Sequence, residues 1–469
     1  MSRFGTRTMT RLMLVVAVLA FCRPAAAQPV PAVDRALARE ILEQLVQIPT
    51  TDAEGTARAA EAISARLLSA GFPREDVHLI RTDANVANVV VRYRGATRGG
   101  GVLLMAHIDV VPAQRGDWSL DPWTFVERDG WFYGRGTSDN KAGAAMLMAN
   151  FITLKRTGWQ PARDLIIVLT GDEETAQRGI QSLLSAHGDK VNAVVAFNTD
   201  GGGVTLRDGR PVVFEVQVSE KIYADFQLEV TDVGGHSSLV RPANPIYTLA
   251  AALTRIGEHQ FPLLLSDATR MFLERSAVTE QGQTAIDMRA VAGVPPNHAA
   301  AARLSRSPFY NAQLRTTCVA TRVEAGHANN ALPQRASAVI NCRILPGVPG
   351  AEVEGVIRKL AGDRVRVSVL EPPIASPASP PAPAVLSRIE PLAAKYWPGV
   401  PVIPVMSTGT TDGMYTRSGG IPTYGVSAID SNPDDVRAHG KDERVSVESF
   451  YRAAQFWLEL MKVYGDDKN

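Results

Sequence analysis

The sequence has few cysteines, almost no net charge and few long apolar runs. Its 469 residues include three cysteines, too few for a disulfide scaffold or a cysteine-based zinc cluster. The 49 Lys and Arg residues nearly balance the 48 Asp and Glu residues. Because this balance leaves no excess of positive charge for binding phosphates, we expect no nucleic acid partner. Hydrophobic residues make up 45% of the chain, which excludes a disordered protein and allows large buried cores.

An apolar run near the N-terminus has the layout of a secretory signal peptide. Three arginines precede the apolar residues 12–22, and alanines at positions 25–27 supply small residues for cleavage. A retained membrane anchor is the weaker alternative, because a span needs about 20 apolar residues. We therefore predict cleavage after Ala27 and a periplasmic or secreted protein with no membrane partner. Without residues 1–27, the chain keeps 45 basic and 48 acidic residues.

Apolar spacing in the first part of the chain predicts an α/β fold. Stretches with helical periodicity alternate with short runs rich in Val, Ile and Leu, which are typical of strands buried on both faces. This alternation predicts a mixed, mostly parallel sheet flanked by helices. The predicted helices are residues 35–47, 57–70 and 141–155, and the predicted strands are 88–93, 102–105, 165–169 and 193–197.

The pattern changes near residue 215, where strands with alternating polarity begin. Residues 215–374 therefore read as a separate α+β region inserted between two parts of the first domain, residues 28–214 and 375–469. Six prolines within residues 372–384 predict a stiff, extended connection at the end of this insertion. Its predicted strands are 224–231, 316–323, 336–344 and 365–370, with helices after Pro245 and at 351–360.

Two side chains at the predicted end of a strand suggest an ordered polar site. His107 and Asp109 are two residues apart and point to the same side if the strand continues. An imidazole that binds a metal commonly donates its other N–H to a carboxylate. Taken alone, however, a structural His–Asp pair is the better interpretation.

Five further residues are ambiguous one by one. Asp139 begins a predicted helix and either caps it or binds a ligand. Glu173 and Glu174 form a solvated acidic turn or a pair in which one carboxylate binds a metal and the other moves a proton. Asp200 precedes glycines that suit an ordinary turn, and His439 lies in a polar loop where a surface histidine would be unremarkable.

The order of these motifs is more specific than any one of them. His-x-Asp, Gly-Arg-Gly-x-x-Asp-x-Lys-x-Gly, Glu-Glu, Asp-Gly-Gly and His-Gly-x-Asp-Glu together resemble the dinuclear zinc peptidase family. Its members include glutamate carboxypeptidase, aminoacylase, acetylornithine deacetylase and succinyl-diaminopimelate desuccinylase. The resemblance covers nearly the whole mature chain and looks closest to the carboxypeptidase S-like branch. That branch has a long insertion, which here ends in Asn-Asn-Ala-Leu-Pro (329–333) and Asn-Cys-Arg-Ile-Leu-Pro-Gly (341–347).

The resemblance implies a catalytic domain of the zinc-exopeptidase type with an inserted lid or dimerisation domain, and it implies a metal site. Asp139 would bridge two ions, with His107 and Asp200 completing one site and Glu174 and His439 the other. Imidazole and carboxylate ligands suit two Zn²⁺ per subunit, although they do not exclude Co²⁺ or Mn²⁺. The family also has a cis peptide bond after its bridging aspartate, here Asp139–Asn140.

The implied activity is hydrolysis of a peptide or amide bond next to a free carboxylate. The substrate would be that of a carboxypeptidase, a dipeptidase or an N-acyl-amino-acid hydrolase. Two ions can share a water and lower its pKa towards about 7. Glu173 would then act as the general base that takes its proton, and Asp109 would support His107. A zinc aminopeptidase and a non-catalytic exported binding protein are the alternatives.

The resemblance also implies residues that contact the substrate. His236, on the insertion, would stabilise the oxyanion, often from the partner subunit of a homodimer that forms through this region. Its alternative is a simple turn histidine. Gly409, Thr410 and Asp412 match a loop that lines the substrate pocket, although all three also suit a plain turn.

Asn330 and Arg343 match positions that hold the substrate's free carboxylate. A guanidinium can grip a carboxylate with two parallel hydrogen bonds. As isolated residues on a sheet, both would more often be solvated. Asn341 stands where many relatives have Asp, which leaves open how Arg343 is oriented.

Cys318 and Cys342 lie at equal distances from a predicted turn near Asn330. If the flanking strands pair in antiparallel fashion, the two cysteines face each other. A disulfide and two reduced core thiols are both compatible with the sequence.

Overall fold

The structure is a computed structural model in which Met1 and residues 32–97, 99–380 and 383–467 are described. Apart from Met1, the predicted signal peptide lies outside these residues. Within them, no helix combines the length and the apolar character that a membrane crossing requires.

The strands and helices follow one another in the alternating order that the sequence predicts. The described strands are β1 (Val77–Arg81), β2 (Ala87–Tyr93), β3 (Gly101–His107), β4 (Val126–Arg128), β5 (Trp131–Tyr133), β6 (Leu165–Thr170), β7 (Ala193–Asn198), β8 (Gly203–Arg207), β9 (Arg210–Glu220), β10 (Ile222–Thr231), β11 (Gly235–His236), β12 (Thr317–Ala325), β13 (Ala331–Leu332), β14 (Arg335–Ile344), β15 (Arg366–Glu371), β16 (Val402–Ser407), β17 (Thr423–Gly425), β18 (Asp430–Ser431) and β19 (Arg444–Ser446). The described helices are α1 (Arg35–Val46), α2 (Ala57–Ser69), α3 (Lys141–Arg156), α4 (Arg178–Ala186), α5 (Pro245–Glu258), α6 (Asp267–Thr279), α7 (Gly282–Ala292), α8 (His298–Leu304), α9 (Pro308–Leu314), α10 (Gly350–Ala361), α11 (Pro383–Tyr396), α12 (Gly413–Ser418) and α13 (Val447–Gly465).

Ten of the described strands form a large mixed sheet. Its order is β1-β2-β6-β3-β7-β17-β9-β8-β18, and β16 also pairs with β9. The central pairs β6–β3, β3–β7 and β7–β17 are parallel, as is β16–β9, whereas β1–β2, β2–β6 and β8–β9 are antiparallel. The predicted α/β fold, with a mixed and mostly parallel sheet, is therefore confirmed.

The central strands are buried on both faces because successive side chains of a strand point to opposite sides. In β3, Val102 and Leu104 pack with α1, α2, α3 and α13, whereas Leu103 and Met105 pack on the side of α4. α3 is itself buried almost all round, which explains why its sequence has no continuous polar face.

A smaller antiparallel sheet has the order β12-β14-β10-β15. Its strands match the four that the sequence predicts for the insertion, and α5 and α10 pack on one of its faces. A disulfide joins Cys318 of β12 to Cys342 of β14, which are direct cross-strand partners. The alternative of two free thiols is therefore not what the structure shows.

The chain passes between the two sheets later than residue 215. β9 stays in the large sheet as far as Glu220, where it pairs with β16, and Lys221 alone separates it from β10. Helices α6 to α8, which the sequence analysis did not identify, share a hydrophobic core with Ile403 of β16 in the large sheet, and α6 contacts β16. Along the sequence, strands of the smaller sheet thus flank a helical segment that packs with the large sheet.

Candidate active site

Three neighbouring parallel strands end at one edge of the large sheet and carry the predicted site residues. β3 ends at His107, β6 ends three residues before Glu173, and β7 ends two residues before Asp200. Because β6 and β7 both pair with β3 in parallel, their carboxyl ends meet there. The loop before α3 brings Asp139 to the same place, and the bond from Asp139 to Asn140 is cis, as the resemblance implied.

Asp139 lies between the two histidines. One of its carboxylate oxygens is 2.9 Å from Nε2 of His107, and the other is 3.1 Å from Nε2 of His439. The same nitrogen of His439 is 2.9 Å from Oε1 of Glu174. Each oxygen of Asp139 therefore faces a different imidazole, which is the arrangement that a bridging carboxylate needs.

Asp200 and Glu173 complete the cluster on the side of His107. An oxygen of Asp200 is 3.9 Å from Nε2 of His107, too far for a hydrogen bond. One ligand atom each from His107, Glu173 and Asp200 lie within 4.8 Å of one another, as do ligand atoms of His107, Asp139 and Glu174. Spacings of this size can be spanned by a cation that binds imidazole nitrogen and carboxylate oxygen.

The charges of the cluster point to the same conclusion. Partial burial, together with the nearby Asp139 carboxylate, raises the pKa of Asp200 to about 7. Burial, and then the charge of Asp200, also raises the pKa of Glu173. Hydrogen bonds to Asp139 and Glu174 raise the pKa of His439 to about 10. Carboxylates that resist ionisation in each other's presence gain stability from divalent cations, so the donor set fits a metal centre.

Asp109 supports His107 from behind, as the sequence predicted for a structural or metal-binding pair. Nδ1 of His107 is 3.1 Å from the main-chain oxygen of Asp109 and 3.4 Å from its carboxylate. The other carboxylate oxygen of Asp109 accepts the main-chain N–H of Glu174 at 2.9 Å. One aspartate therefore fixes the orientation of the histidine and of the Glu174 loop together.

Glu443 is a supporting residue to which the sequence analysis gave no role. Its fully buried carboxylate pairs with Arg135 at 2.6 Å. It also accepts the main-chain N–H groups of Gly136, Ser138 and Asp139 at 2.8–3.0 Å. Glu443 thereby holds the loop that presents Asp139. The acidic residues after His439 in the late motif were the only sequence signal for it.

Comparison with known proteins identifies the family. Residues 103–463 match the profile of peptidase family M20/M25/M40. The chain belongs to this family. The human N-fatty-acyl-amino acid synthase/hydrolase PM20D1 is 30% identical over 457 residues, which cover 92% of this chain and 88% of the human protein. A probable carboxypeptidase S-like protein of Dictyostelium discoideum is 27% identical, over 77% of this chain and 71% of that protein.

Solved M20 structures have the same fold. The M20 metallo-carboxypeptidase Sso-CP2 of Sulfolobus solfataricus superposes with a TM-score of 0.69 at 19% identity, over 91% of this chain and 99% of that one. The predicted resemblance, including the carboxypeptidase S-like branch, is thus confirmed. The chain is an M20 enzyme of the metallopeptidase and amidohydrolase type.

The predicted pocket loop of this M20 chain divides into an exposed and a buried part. Gly409 is exposed and Thr410 is half-buried. Asp412 is buried and accepts a hydrogen bond from the hydroxyl of Thr170, at the end of β6. Burial raises the pKa of Asp412 to about 8. Asp412 is therefore buried against the end of β6, whereas Gly409 and Thr410 keep exposed surface.

His236 and Asn330 lie close to each other, where β11 pairs with β13. The short strand β11 carries His236 and pairs with β13, and the main-chain oxygen of Asn330 accepts the N–H of Ser237 at 3.0 Å. Nδ1 of His236 accepts the main-chain N–H of Ser238. His236 is exposed, and none of its hydrogen bonds within the described part of the chain reaches a residue of the candidate metal cluster.

Arg343 lies on β14, half-buried, with its guanidinium 4.8 Å from the ring centre of Tyr223. The side-chain amide of Asn341 donates a hydrogen bond to Asp225 at 2.8 Å. Within the described part of the chain, no hydrogen bond joins Asn341 to Arg343. The structure therefore brings the predicted metal ligands, Glu173 and Asp109 into one cluster. It places His236 on β11, Asn330 in the turn before β13 and Arg343 on β14.

Proposed function

We propose that this M20 enzyme is an exported dizinc hydrolase that cleaves the amide bond of N-acyl amino acids or short peptides next to a free carboxylate. The observation that carries the proposal is the meeting of His107, Asp139, Glu174, Asp200 and His439 beside Glu173 at one sheet edge. The name of the human relative favours N-acyl amino acids, including long-chain ones, among the possible substrates.

The chain's own residues divide the work of the reaction. Asp139 would hold two cations through its two oxygens, which face His107 and His439. Bound divalent cations would polarise the amide carbonyl and make a nearby water more acidic. Burial, and then the charge of Asp200, raises the pKa of Glu173, which makes its carboxylate a better proton acceptor. It would take a proton from the attacking water and deliver it to the leaving nitrogen.

A substrate panel tests this activity. The zinc-loaded mature protein is incubated with N-acyl amino acids of short and long chain, with dipeptides and with N-terminally blocked dipeptides, and released product is quantified. We expect cleavage of N-acyl amino acids and blocked dipeptides. Glu173→Gln should lower kcat by about 10²–10⁴-fold at unchanged metal content, since it removes the general base.

The same panel separates the alternative of an aminopeptidase, which needs a free amine. Cleavage of free dipeptides but of no blocked substrate would replace our proposal with that one. A Glu173→Gln variant as fast as the wild type would remove Glu173 from the catalytic role.

We further propose that the enzyme is a homodimer in which His236 acts in the partner's active site. The exposure of His236 and its lack of contact with the cluster of its own chain, within the described residues, support this proposal. Co-expressed His236→Ala and Glu173→Gln chains, each inactive alone, should regain about a quarter of wild-type activity, because half of the dimers then hold one complete site. No recovery in a verified mixed dimer would contradict action in trans.

Export is the last element of the proposal and depends on the predicted signal peptide. Mass spectrometry of the protein recovered from periplasm or medium should find Gln28 as the first residue. A full-length chain retained in the cytoplasm would contradict export and leave the activity proposal untouched.

A further inference from the structure

The smaller sheet has one face that α5 and α10 cover and one that they do not. Ile222, Ala224 and Phe226 of β10 pack into the core beneath these helices. Because side chains alternate along a strand, Tyr223 and Asp225 point to the other face.

On this uncovered face, two cross-strand pairs follow one another. Tyr223 lies directly opposite Arg343 of β14, and Asp225 lies directly opposite Asn341. Paired positions of antiparallel strands bring side chains within contact distance. The four residues therefore form a compact polar patch around the guanidinium of Arg343.

The contacts in this patch form a chain that links Asn341 and Asp225, through Tyr223, to Arg343. Its guanidinium lies 4.8 Å from the ring centre of Tyr223. The hydroxyl of Tyr223 donates to one oxygen of Asp225 at 2.6 Å, and the amide of Asn341 donates to the other oxygen at 2.8 Å. Asp225 thus has both oxygens engaged by neutral donors, and it fixes the ring on which Arg343 lies.

Arg343 keeps its N–H donors unpaired as a result. Among the residues that the structure describes, no carboxylate lies within 4.0 Å of its guanidinium and no oxygen accepts a hydrogen bond from it. The uncharged Asn341, two residues before Arg343 on the same face, adds no competing carboxylate. A half-buried guanidinium that packs on an aromatic ring and has its N–H donors unpaired is preorganised to bind a carboxylate with two hydrogen bonds.

We propose that Tyr223, Asp225 and Asn341 are positioning residues that hold Arg343 ready for the substrate's free carboxylate and so set the preference for acids over amides. This inference rests on the proposed function, in which Arg343 binds that carboxylate. Tyr223 acts directly on the guanidinium, and Asp225 and Asn341 act through Tyr223.

The test compares one N-acyl amino acid with the same compound carrying a carboxamide in place of the carboxylate. Tyr223→Leu should raise KM for the acid about 3- to 10-fold, the range expected for loss of a partly desolvated cation–π contact. The kcat for the acid and the KM for the amide should change less than twofold. Tyr223→Trp, which keeps an aromatic face, should retain the preference for the acid.

Variants of Asp225 test the indirect step. Asp225→Ala leaves the Tyr223 hydroxyl and the Asn341 amide without an acceptor and should also raise KM for the acid, whereas Asp225→Asn keeps one oxygen and should do so less. Gln227→Ala is the matched control, since Gln227 lies on the same face of β10, two residues further on. It should leave the preference unchanged.

The outcomes separate the two proposals. If the wild type cleaves no N-acyl amino acid or blocked peptide, the proposed function fails. If the wild type prefers the acid and Arg343→Ala abolishes that preference, but Tyr223→Leu and Asp225→Ala keep it, the positioning inference is overturned. Calorimetric binding of acid and amide to Glu173→Gln variants provides the same comparison without turnover.

Discussion

Glu443 illustrates how one buried side chain supports a site that it does not enter. Its carboxylate has no exposed surface and holds Arg135 together with three main-chain N–H groups of the Asp139 loop. Burial raises the pKa of Glu443, and the charge of Arg135 acts against this change. Arg135 and the N–H groups of the loop therefore stabilise the ionised carboxylate of Glu443.

Replacing Glu443 by Gln should leave the buried Arg135 without its counter-charge. We expect the free energy of unfolding to fall by about 3 kcal/mol, the cost typical of breaking a buried ion pair. Zinc affinity should fall by about 10- to 100-fold, as for other residues that orient metal ligands. Urea unfolding and zinc titration measure the two effects.

Glu448→Gln is the matched control for this experiment. The side chain of Glu448 is 85% exposed in the first turn of α13, so its replacement should change stability by less than about 0.5 kcal/mol. Equal stability of both variants would show that Glu443 does not hold the loop.

Sequence reasoning reached the residues of the site and the support that Asp109 gives to His107, but not the support from Glu443. The two-residue spacing of His107 and Asp109 predicts that they share a side, because this follows from strand geometry alone. Glu443 is 308 positions from Arg135, and apart from its place in the motif after His439 nothing local distinguishes it from an exposed acid. Its role appears only when the folded chain brings the two together.

At the scale of the elements, the disulfide between Cys318 and Cys342 attaches the edge strand β12 to the smaller sheet. Among the described strands β12 pairs with β14 alone, and most of its residues are exposed. The disulfide from Cys318 to Cys342 spans 24 positions and closes the loop between these strands. Such a link restricts the unfolded chain and so stabilises the strand pair.

A Cys318→Ala/Cys342→Ala double variant should lose about 3 kcal/mol of stability, as loop-closure entropy predicts for a loop of this size. Reduction of the wild type should have a similar effect, and reductant should not change the double variant further. Equal unfolding midpoints in urea for oxidised wild type and double variant would contradict a stabilising role.

Prediction of strands succeeded where burial on both faces leaves a continuous apolar run. The apolar runs of β3 and β6 are buried at every position, and the predicted strands match them. The end of β9 was not predicted, because its buried Val216 and Val218 alternate with neighbours in the same way as residues of β10. Glu220 stands where the next apolar residue of that alternation would be expected, and the chain changes sheet directly after it, at Lys221.

At the scale of the molecule, Lys221 connects two places where the chain enters the smaller sheet. One is its own position between β9 and β10, and the other is the start of β12. The ammonium of Lys221 donates to the main-chain oxygen of Arg315 at 2.8 Å and to the hydroxyl of Thr317 at 3.2 Å. Lys221 is buried and, among the described residues, has no carboxylate within 4.0 Å. Burial, and then the nearby charge of Arg343, lowers the pKa of Lys221 to about 7.

This lowered pKa predicts a pH dependence of stability. In the unfolded chain a lysine titrates near pH 10.4. Between about pH 7 and 10 the unfolded state therefore binds more protons at this position, so its contribution makes stability rise with pH. The slope approaches about 1.4 kcal/mol per pH unit and vanishes below pH 7, where both states are protonated.

Lys221→Met should remove this contribution. We expect the difference in unfolding free energy, wild type minus variant, to increase from pH 7 to pH 9. Lys359→Met, at an exposed position of α10, controls for the loss of a surface lysine. A difference that stays constant or decreases with pH would contradict a buried lysine of lowered pKa.

The claim on which the whole interpretation depends is that Asp139 holds two cations between His107 and His439. The direct measurement is the metal content of the purified mature protein, by mass spectrometry of the intact chain under native conditions. We expect about two zinc ions per chain in the wild type. Asp139→Ala should bind at most one, with amide hydrolysis lost. A wild type without tightly bound metal, or an Asp139→Ala variant that keeps two ions and its activity, would contradict the interpretation.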